Sequence, residues 1–313
     1  SCSEPAVPQA YLRAVRRSLT LLLSAYHVLL FAQGGQQSLL WQVTQPAMRD
    51  TSYLFGTMHT RDARAFQFGP EVSRAFVNSD VVAGELDMEE TKRLGSTLAG
   101  AMYLPAGSTL DRYYSKREYK QVMKALREEL GPLAVMGAKM RPFYLMAMLS
   151  EVELGKDSAV VLDDWLQKQG RAMDKSVVGL ETIKEQIDAV DLIPLDEQAR
   201  MLLQQARMKG HHADAERALK NYVEGDLEAL LAQMVDDGLG GPADKALLQD
   251  RNVRMVERLQ AHMQGHGVFV AVGAAHLPGE QGLIEHLRRL GYTVLPVVRE
   301  QALPEQAPWK PLP

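Results

Sequence analysis

Apolar residues follow two different periods along this chain, and the change of period separates its two ends from its middle. Short runs rich in valine, leucine and aromatic residues lie near both ends and have the length of β-strands. In most of the intervening sequence, apolar residues recur every three or four positions, which predicts amphipathic helices. The predicted strands are residues 38–43, 52–56, 80–88, 175–181, 267–273 and 292–298.

The order of these elements predicts the fold class. The first two strands are separated by the turn-forming segment 44–51, so they predict a β-hairpin. The last two strands enclose a helix predicted at 280–291. We therefore predict an α/β (α+β-like) fold, with a mixed central sheet formed from N- and C-terminal strands and a large helical middle region. The predicted helices of the middle are 89–104, 115–130, 142–155, 161–170, 194–237 and 245–265.

Both termini differ in composition from the region between them. Three arginines precede the apolar run 19–32 and small residues follow it, which is the pattern of a secretory signal peptide. We expect residues 1–34 to be a signal peptide, which would place the protein in the periplasm or outside the cell. The alternatives are an uncleaved anchor in the inner membrane and an ordinary first helix. Residues 35–300 form the predicted domain, and the Pro-rich residues 301–313 are expected to be a loose tail.

The composition is that of an ordinary globular protein and excludes several classes of function. Of the 313 residues, 46% are hydrophobic and 24% are charged, and the formal net charge is −4. Since no lysine- or arginine-rich run follows the N-terminal segment, we expect no nucleic-acid partner. The one cysteine, Cys2, excludes an internal disulfide framework and a cysteine-based zinc cage. The sequence also lacks the zincin helix, the nucleophile elbow and the phosphate and dinucleotide loops.

Four of the predicted strands are followed by a histidine or an acid. A glycine followed three residues later by a histidine occurs in "YLFGTMH" and in "VFVAVGAAH", and these motifs supply His59 and His276. Glu85 and Glu181 follow two other apolar runs. Because ligands of open α/β sheets bind beyond the carboxyl ends of strands, we expect the four side chains to converge. The alternatives are chance histidines and acids that only cap the next helix.

The two Gly-x-x-His motifs stand at the ends of a longer series of sequence blocks. The first lies in "SLLWQVT…TSYLFGTMHT" and the second in "FVAVGAAHLPGEQGLIEHLRRLGYTV". Between them come "VVAGELD", "YLPAGSTLDRYYSKREY", "VLDDWLQKQG", "SVVGLET" and "LLQDRNVRMVERL". These blocks resemble, in content and order, the TraB/GumN family, which is related to the Tiki metalloproteases. The resemblance extends over about residues 38–298.

This resemblance implies a fold of the erythromycin-esterase/ChaN-like type with a divalent-metal site. On this chain it implies that His59, Glu85, Glu181 and His276 hold the ion, with Glu181 as a further ligand or as the general base. A mixed set of imidazoles and carboxylates suits Mn, Co or Zn and does not choose among them. Val161 stands where the family usually has a glycine, two residues before Asp163. Whether Asp163 neighbours the ligands or caps a helix therefore stays open.

The resemblance also implies a function and two further site residues. Arg251 and Asn252 match the family's Arg-Asn pair, and Arg251 would stabilise an oxyanion or orient an acid. The alternative for Arg251 is a surface helix residue that pairs with Asp250 or with an acid one turn away. Asn252 could donate to the substrate, and the alternative for it is a capping or helix-surface role. The implied function is a metal-dependent hydrolase, a metallopeptidase that acts on peptide or protein substrates. The alternative is a non-catalytic metal- or haem-binding protein of the same fold.

Overall fold

The strands from the two ends of the chain pair in one six-stranded sheet. This computed structural model describes residues 37–300 except 47, 153, 208–210 and 237. The expected signal peptide and the expected Pro-rich tail lie outside the described residues. The strands are β1 (Leu40–Thr44), β2 (Ser52–Thr57), β3 (Val81–Gly84), β4 (Ser176–Gly179), β5 (Val268–Gly273) and β6 (Thr293–Pro296).

The sheet is mixed, with the strand order β4-β3-β5-β2-β1-β6. The first four of these strands run parallel to one another, whereas β1 is antiparallel to both β2 and β6. The predicted hairpin of β1 and β2 is confirmed, with Trp41 opposite Leu54. Parallel neighbours need crossover connections, and helices supply them here. The carboxyl ends of four neighbouring strands therefore lie at one edge of the sheet.

Helices dominate the chain between the hairpin and β5, so the predicted class, a mixed sheet with a large helical middle, is confirmed. The helix predicted at 89–104 is divided at Leu94 into two short helices. The main helices are α1 (Pro70–Asn78), α2 (Met88–Arg93), α3 (Gly95–Ala101), α4 (Lys116–Leu130), α5 (Pro142–Val152), α6 (Leu162–Ala172), α7 (Ile183–Asp191), α8 (Leu195–Arg207), α9 (His211–Glu224), α10 (Leu227–Asp236), α11 (Asp250–His262) and α12 (Leu283–Arg289).

Two helices, α1 and α7, are not among the predicted elements. Each has nine residues, so few turns display the helical period of apolar residues. Helix α7 begins with a capping box in which Thr182 and Glu185 exchange side-chain and backbone hydrogen bonds. That pair is visible in the sequence and marks the start of α7 better than the apolar pattern does.

The core has two main parts, one around the sheet and one within the helical middle. Strand β3 is buried along its whole length, and the first five residues of β5 are buried as well. The larger cluster packs both faces of these strands. Helices α4, α5 and α8 share the second cluster, which includes Val122, Leu145 and Leu202. No helix in the described part of the chain is both long and apolar enough to cross a membrane.

Candidate active site at the carboxyl edge of the sheet

The four strand ends identified in the sequence are neighbours at one edge of the sheet. β4 leads to Glu181, β3 to Glu85, β5 to His276 and β2 to His59, and these strands are adjacent in that order. The backbone pairing continues past the strands, because the N–H of Glu181 donates to the carbonyl of Glu85 at 2.7 Å. The parallel topology therefore explains why residues so distant in sequence share one edge.

Neither acid caps the helix that follows it. The N-cap of α2 is Asp87, whose carboxylate accepts from the N–H groups of Glu89 and Glu90. The N-cap of α7 is Thr182. The capping alternative is therefore wrong for Glu85 and for Glu181, and both side chains are available for the site.

The two acids converge on one guanidinium. Arg251 Nη2 donates to Glu85 Oε2 at 2.6 Å and to Glu181 Oε2 at 2.7 Å. Burial alone would raise the pKa of Glu85, but the charge of Arg251 and, to a smaller extent, the N–H of Gly273 help to bring that pKa down to about 2. Glu85 is therefore ionised at neutral pH, and its charge is compensated from within the protein.

Glu181 lies deeper than Glu85, with a fully buried side chain. Arg251 donates to its Oε2, and Arg254 Nη2 donates to its Oε1 at 3.2 Å. Gln186 Nε2 lies 3.4 Å from the same Oε2 and 3.2 Å from Glu85 Oε2. Because arginines engage both oxygens of Glu181, its placement suits an anchor for Arg251 better than a metal ligand. Neither Arg254 nor Gln186 was among the residues predicted for the site. The three-residue spacing of Arg254 from Arg251 places both on one face of a helix and is the signal that indicates Arg254.

Asn252 holds the ring of His276, and both side chains are buried. Asn252 Nδ2 donates to the carbonyl of Gln281 at 2.6 Å, so Oδ1 is the atom that faces His276 Nδ1, also at 2.6 Å. Since an amide oxygen only accepts, Nδ1 carries the proton and Nε2 carries the lone pair. Burial lowers the pKa of His276 to about 4, so the ring is neutral at neutral pH. Nε2 lies 3.6 Å from Glu85 Oε1.

The glycine of each Gly-x-x-His motif allows a close approach of neighbouring atoms. A Cβ at Gly273 would lie 3.1 Å from Glu85 Oε1, which also accepts the Gly273 N–H at 2.8 Å. A Cβ at Gly56 would lie 3.1 Å from the backbone of Ala274. Neither glycine has a positive φ. The motif therefore needs glycine for space, and a side chain at either position would push the site apart.

His59 lies one strand away from His276 and in different surroundings. Its side chain is 65% exposed, and Nδ1 lies 3.4 Å from Asp163 Oδ2. Thr57 Oγ1 donates to the other carboxylate oxygen of Asp163 at 2.6 Å. The N-cap residue of α6 is Val161, so the capping alternative for Asp163 is wrong. Val161 has φ −71° and ψ 157°, an extended conformation open to any residue, so the replacement of glycine has no backbone cost.

Arg251 and Asn252 lie at the start of α11, directly after a π-helical turn, Lys245–Gln249. Such turns are frequent at functional sites. Arg251 Nη1 donates to the carbonyl of Leu247 within this turn at 3.0 Å. Arg251 is 9% exposed, and Asp250 pairs with Lys245 instead. The surface-pair alternative for Arg251 is therefore wrong, and so is the helix-surface alternative for Asn252.

The sequence matches the TraB/PrgY/gumN family over residues 39–296. The chain belongs to this family. Among its relatives, Metalloprotease TIKI1 of Danio rerio is 26% identical over 89% of this chain and 67% of the relative. Metalloprotease TIKI1 of Homo sapiens is 26% identical over 84% of this chain and 62% of the relative. The Metalloprotease TIKI homolog of Nematostella vectensis is 25% identical over 87% of this chain and 69% of the relative.

The match to these relatives is partial in length. Among the seven that match, the part aligned with this chain is between 60% and 69% of the relative. No solved structure matches the chain. The family membership therefore rests on sequence, and the fold described above is that of this TraB/PrgY/gumN chain itself.

Two residues of this TraB/PrgY/gumN chain, His276 and Glu85, are placed as two ligands of one divalent ion would be. A separation of 3.6 Å between His276 Nε2 and Glu85 Oε1 suits ligands that each lie ~2.0–2.2 Å from one ion. Ligating histidines commonly donate their other ring N–H to an acceptor, as His276 does to Asn252. The described residues contain no group of three or more His, Cys, Asp or Glu placed to hold an ion. The full set with His59 and Glu181 thus stays a prediction.

Proposed function

We propose that this protein is a metal-dependent hydrolase that cleaves peptide bonds in peptide or protein substrates. The observation that carries the proposal is the pairing of the buried His276 with the partly buried Glu85. A neutral imidazole with its lone pair on Nε2 faces an ionised carboxylate at 3.6 Å, at the edge of the sheet where ligands bind. The name metalloprotease, which the relatives bear, supports the choice of peptide bonds.

His276 and Glu85 would hold the ion, and His59 from the next strand would supply the third ligand. The ion would be Mn, Co or Zn, since all three accept imidazole and carboxylate ligands. A divalent ion at such a site lowers the pKa of a water and polarises a carbonyl. We assign Glu181 to the support of Arg251, because its two oxygens already accept from Arg251 and Arg254.

Arg251 would keep Glu85 ionised and fixed in place. Its Nε, Nη1 and Nη2 groups donate to Glu181, to the Leu247 carbonyl and to Glu85. Of the two roles that the family resemblance implies for Arg251, the orientation of an acid is therefore the better supported. Asn252 would hold the His276 ring rather than meet the substrate, because both ends of its amide are engaged. Both are positioning residues in this proposal.

The substrates would lie outside the cytoplasm. This part of the proposal rests on the signal-peptide pattern of residues 1–34. An inner-membrane anchor formed by the same segment would keep the active site on the outer side of that membrane. Fractionation of cells that express the full chain separates the two locations. Recovery of the protein in the periplasmic or secreted fraction supports removal of a signal peptide, and retention in the membrane fraction supports an anchor.

Metal analysis and peptide cleavage test the proposal together. We expect purified protein to contain about one divalent ion per chain and to cleave members of a peptide library, followed by mass spectrometry. His276→Ala should abolish ion retention and reduce cleavage by more than ~100-fold, beyond the effect typical of outer-shell residues. His262→Ala, at the end of α11, is the matched control and should leave both unchanged.

Two results would contradict this assignment. Cleavage that survives His276→Ala would show that the reaction does not depend on this residue. Bound haem with no divalent ion, and no cleavage of any peptide, would favour the non-catalytic haem-binding alternative.

A further inference from the structure

Asp163 has a buried carboxylate oxygen that points at His59. The residue lies in the first turn of α6, and its side chain is 20% exposed. Oδ1 accepts from Thr57 Oγ1, but no donor among the described residues is hydrogen-bonded to Oδ2. His59 Nδ1 lies 3.4 Å from that oxygen, slightly beyond a normal hydrogen bond. Because a buried acceptor without a donor is unfavourable, a small rotation of the ring that donates Nδ1–H to Oδ2 is favoured.

The backbone holds Asp163 firmly relative to the first motif. Thr57 is the last residue of β2 and is buried, so its hydroxyl fixes the carboxylate to the end of the strand. The N–H of Leu162, the first residue of α6, donates to the carbonyl of Thr60 at 3.2 Å. The start of α6 is thereby docked on the loop that carries His59.

We propose that Asp163 is a positioning residue for His59. Its carboxylate accepts the Nδ1 proton, which leaves the lone pair on Nε2, on the side of the ring opposite Asp163. Asn252 does the same for His276, with an amide oxygen in place of the carboxylate. The use of His59 Nε2 as a ligand rests on the proposed function, whereas the effect of Asp163 on the ring does not. Thr57 supports Asp163 through its hydroxyl.

The tautomer of His59 tests this inference directly and needs no metal. We expect two-bond ¹⁵N–¹H NMR of the full chain, labelled at histidine and free of metal, to show Nδ1–H for neutral His59. The resonance is assigned by its loss in His59→Gln. Asp163→Ala should convert the ring mainly to the Nε2–H form, and Asp163→Asn, which keeps an acceptor oxygen, should restore Nδ1–H at least in part. The His276 resonances should not change in any of these variants.

Ion affinity gives a second readout. Titration calorimetry with Zn²⁺ should show a dissociation constant ~10- to 100-fold larger for Asp163→Ala than for the native protein. This is the usual effect of removing the residue that accepts the proton of a ligating histidine. Thr57→Val, which lacks the hydroxyl, should lose less Zn²⁺ affinity than Asp163→Ala. Thr57→Ser, which keeps the hydroxyl, should lose none. The matched control is Asp164→Ala, because Asp164 is a buried neighbour in the same helical turn that pairs instead with Lys92 and Lys168.

The outcomes separate this inference from the proposed function. An unchanged His59 tautomer in Asp163→Ala would overturn the inference, as would losses of affinity that Asp164→Ala reproduces in full. If the native protein binds no Zn²⁺, Mn²⁺ or Co²⁺ but the tautomer changes as expected, the metal proposal fails and the positioning role of Asp163 stands.

Discussion

The two Gly-x-x-His motifs share one sequence pattern but place their histidines in opposite surroundings. His276 is 3% exposed, and a neutral amide, Asn252, fixes its ring. The His59 side chain is 65% exposed, and a carboxylate, Asp163, lies beside it. The motif itself therefore sets only where the backbone leaves the strand. The residue that meets each ring from a distant helix differs between the two motifs, and it offers the ring nitrogen an amide oxygen in one case and a carboxylate in the other.

This difference divides the site into a buried half and an exposed half. The buried half is held by charge-assisted hydrogen bonds between Arg251, Glu85 and Glu181, which the low dielectric of the interior strengthens. The exposed half rests on a strand end, Thr57, and on the start of α6. We therefore expect substitutions in the buried half to affect folding as well as function, and substitutions in the exposed half to affect mainly function.

The largest effect is expected from Arg251→Met. This change leaves two carboxylates without their shared cation, and Glu181 has a fully buried side chain. Breaking a buried ion pair on one side commonly costs about 3–5 kcal/mol. We expect a loss of that size in the free energy of unfolding, measured by urea denaturation at pH 7. The control is Arg258→Met, since Arg258 is 39% exposed and its pair with Glu185 should contribute less than about 1 kcal/mol. Equal losses in the two variants would refute a special stability of the buried half.

A smaller loss of stability is expected from Asn252→Leu. The leucine is close to asparagine in size but leaves the His276 Nδ1–H and the Gln281 carbonyl without their partner. Each unsatisfied buried group costs about 1–3 kcal/mol, so the free energy of unfolding should fall by at least that much. His59→Gln, at the exposed ring, should cost less than about 1 kcal/mol. If His59→Gln destabilised the protein as much as Asn252→Leu, the two halves would not differ as described.

The sequence was sufficient to predict which residues lie at the carboxyl edge of the sheet, because the signals for this placement are local. Each parallel strand is an apolar run, and the residue that follows it lies at the carboxyl end whatever the rest of the chain does. Parallel topology then brought Glu181, Glu85, His276 and His59 to one edge. The short helices α1 and α7 escaped prediction because nine residues show too little periodicity.

The partners of the four side chains could not be predicted in the same way. Thr57 and Asp163 are 106 residues apart, and Glu85 and Arg251 are 166 residues apart, so no local pattern joins them. The role of Glu181 also depends on such a contact, because Arg254 reaches it from α11. Family resemblance indicated Arg251 and Asn252, but only their hydrogen bonds in the folded chain show what each side chain contacts.

The smallest effect concerns the loop that follows His59, where Asp62 is buried. Hydrogen bonds from the Arg64 side chain, which outweigh the opposite effect of burial, help to lower the pKa of Asp62 from 3.8 to about 2. Between these values the unfolded chain binds more protons than the native protein, so stability rises with pH across this range. The contribution of Asp62 is therefore complete above about pH 4 and is lost as the pH falls through 2. Since Arg64 is 46% exposed, we expect the ionised Asp62 to contribute about 1–2 kcal/mol to the free energy of unfolding.

Comparison of the native protein with Asp62→Asn by urea unfolding between pH 2 and pH 6 checks this expectation. The unfolding free energies of the two proteins should differ most at pH 6 and converge toward pH 2. At low pH Asp62 becomes protonated and is then uncharged, as asparagine is at every pH. The exposed Asp111, changed to asparagine, should leave the pH profile unchanged. A difference that persists undiminished at pH 2 would mean that the shape of the Asp62 side chain, and not its charge, holds the loop beside His59.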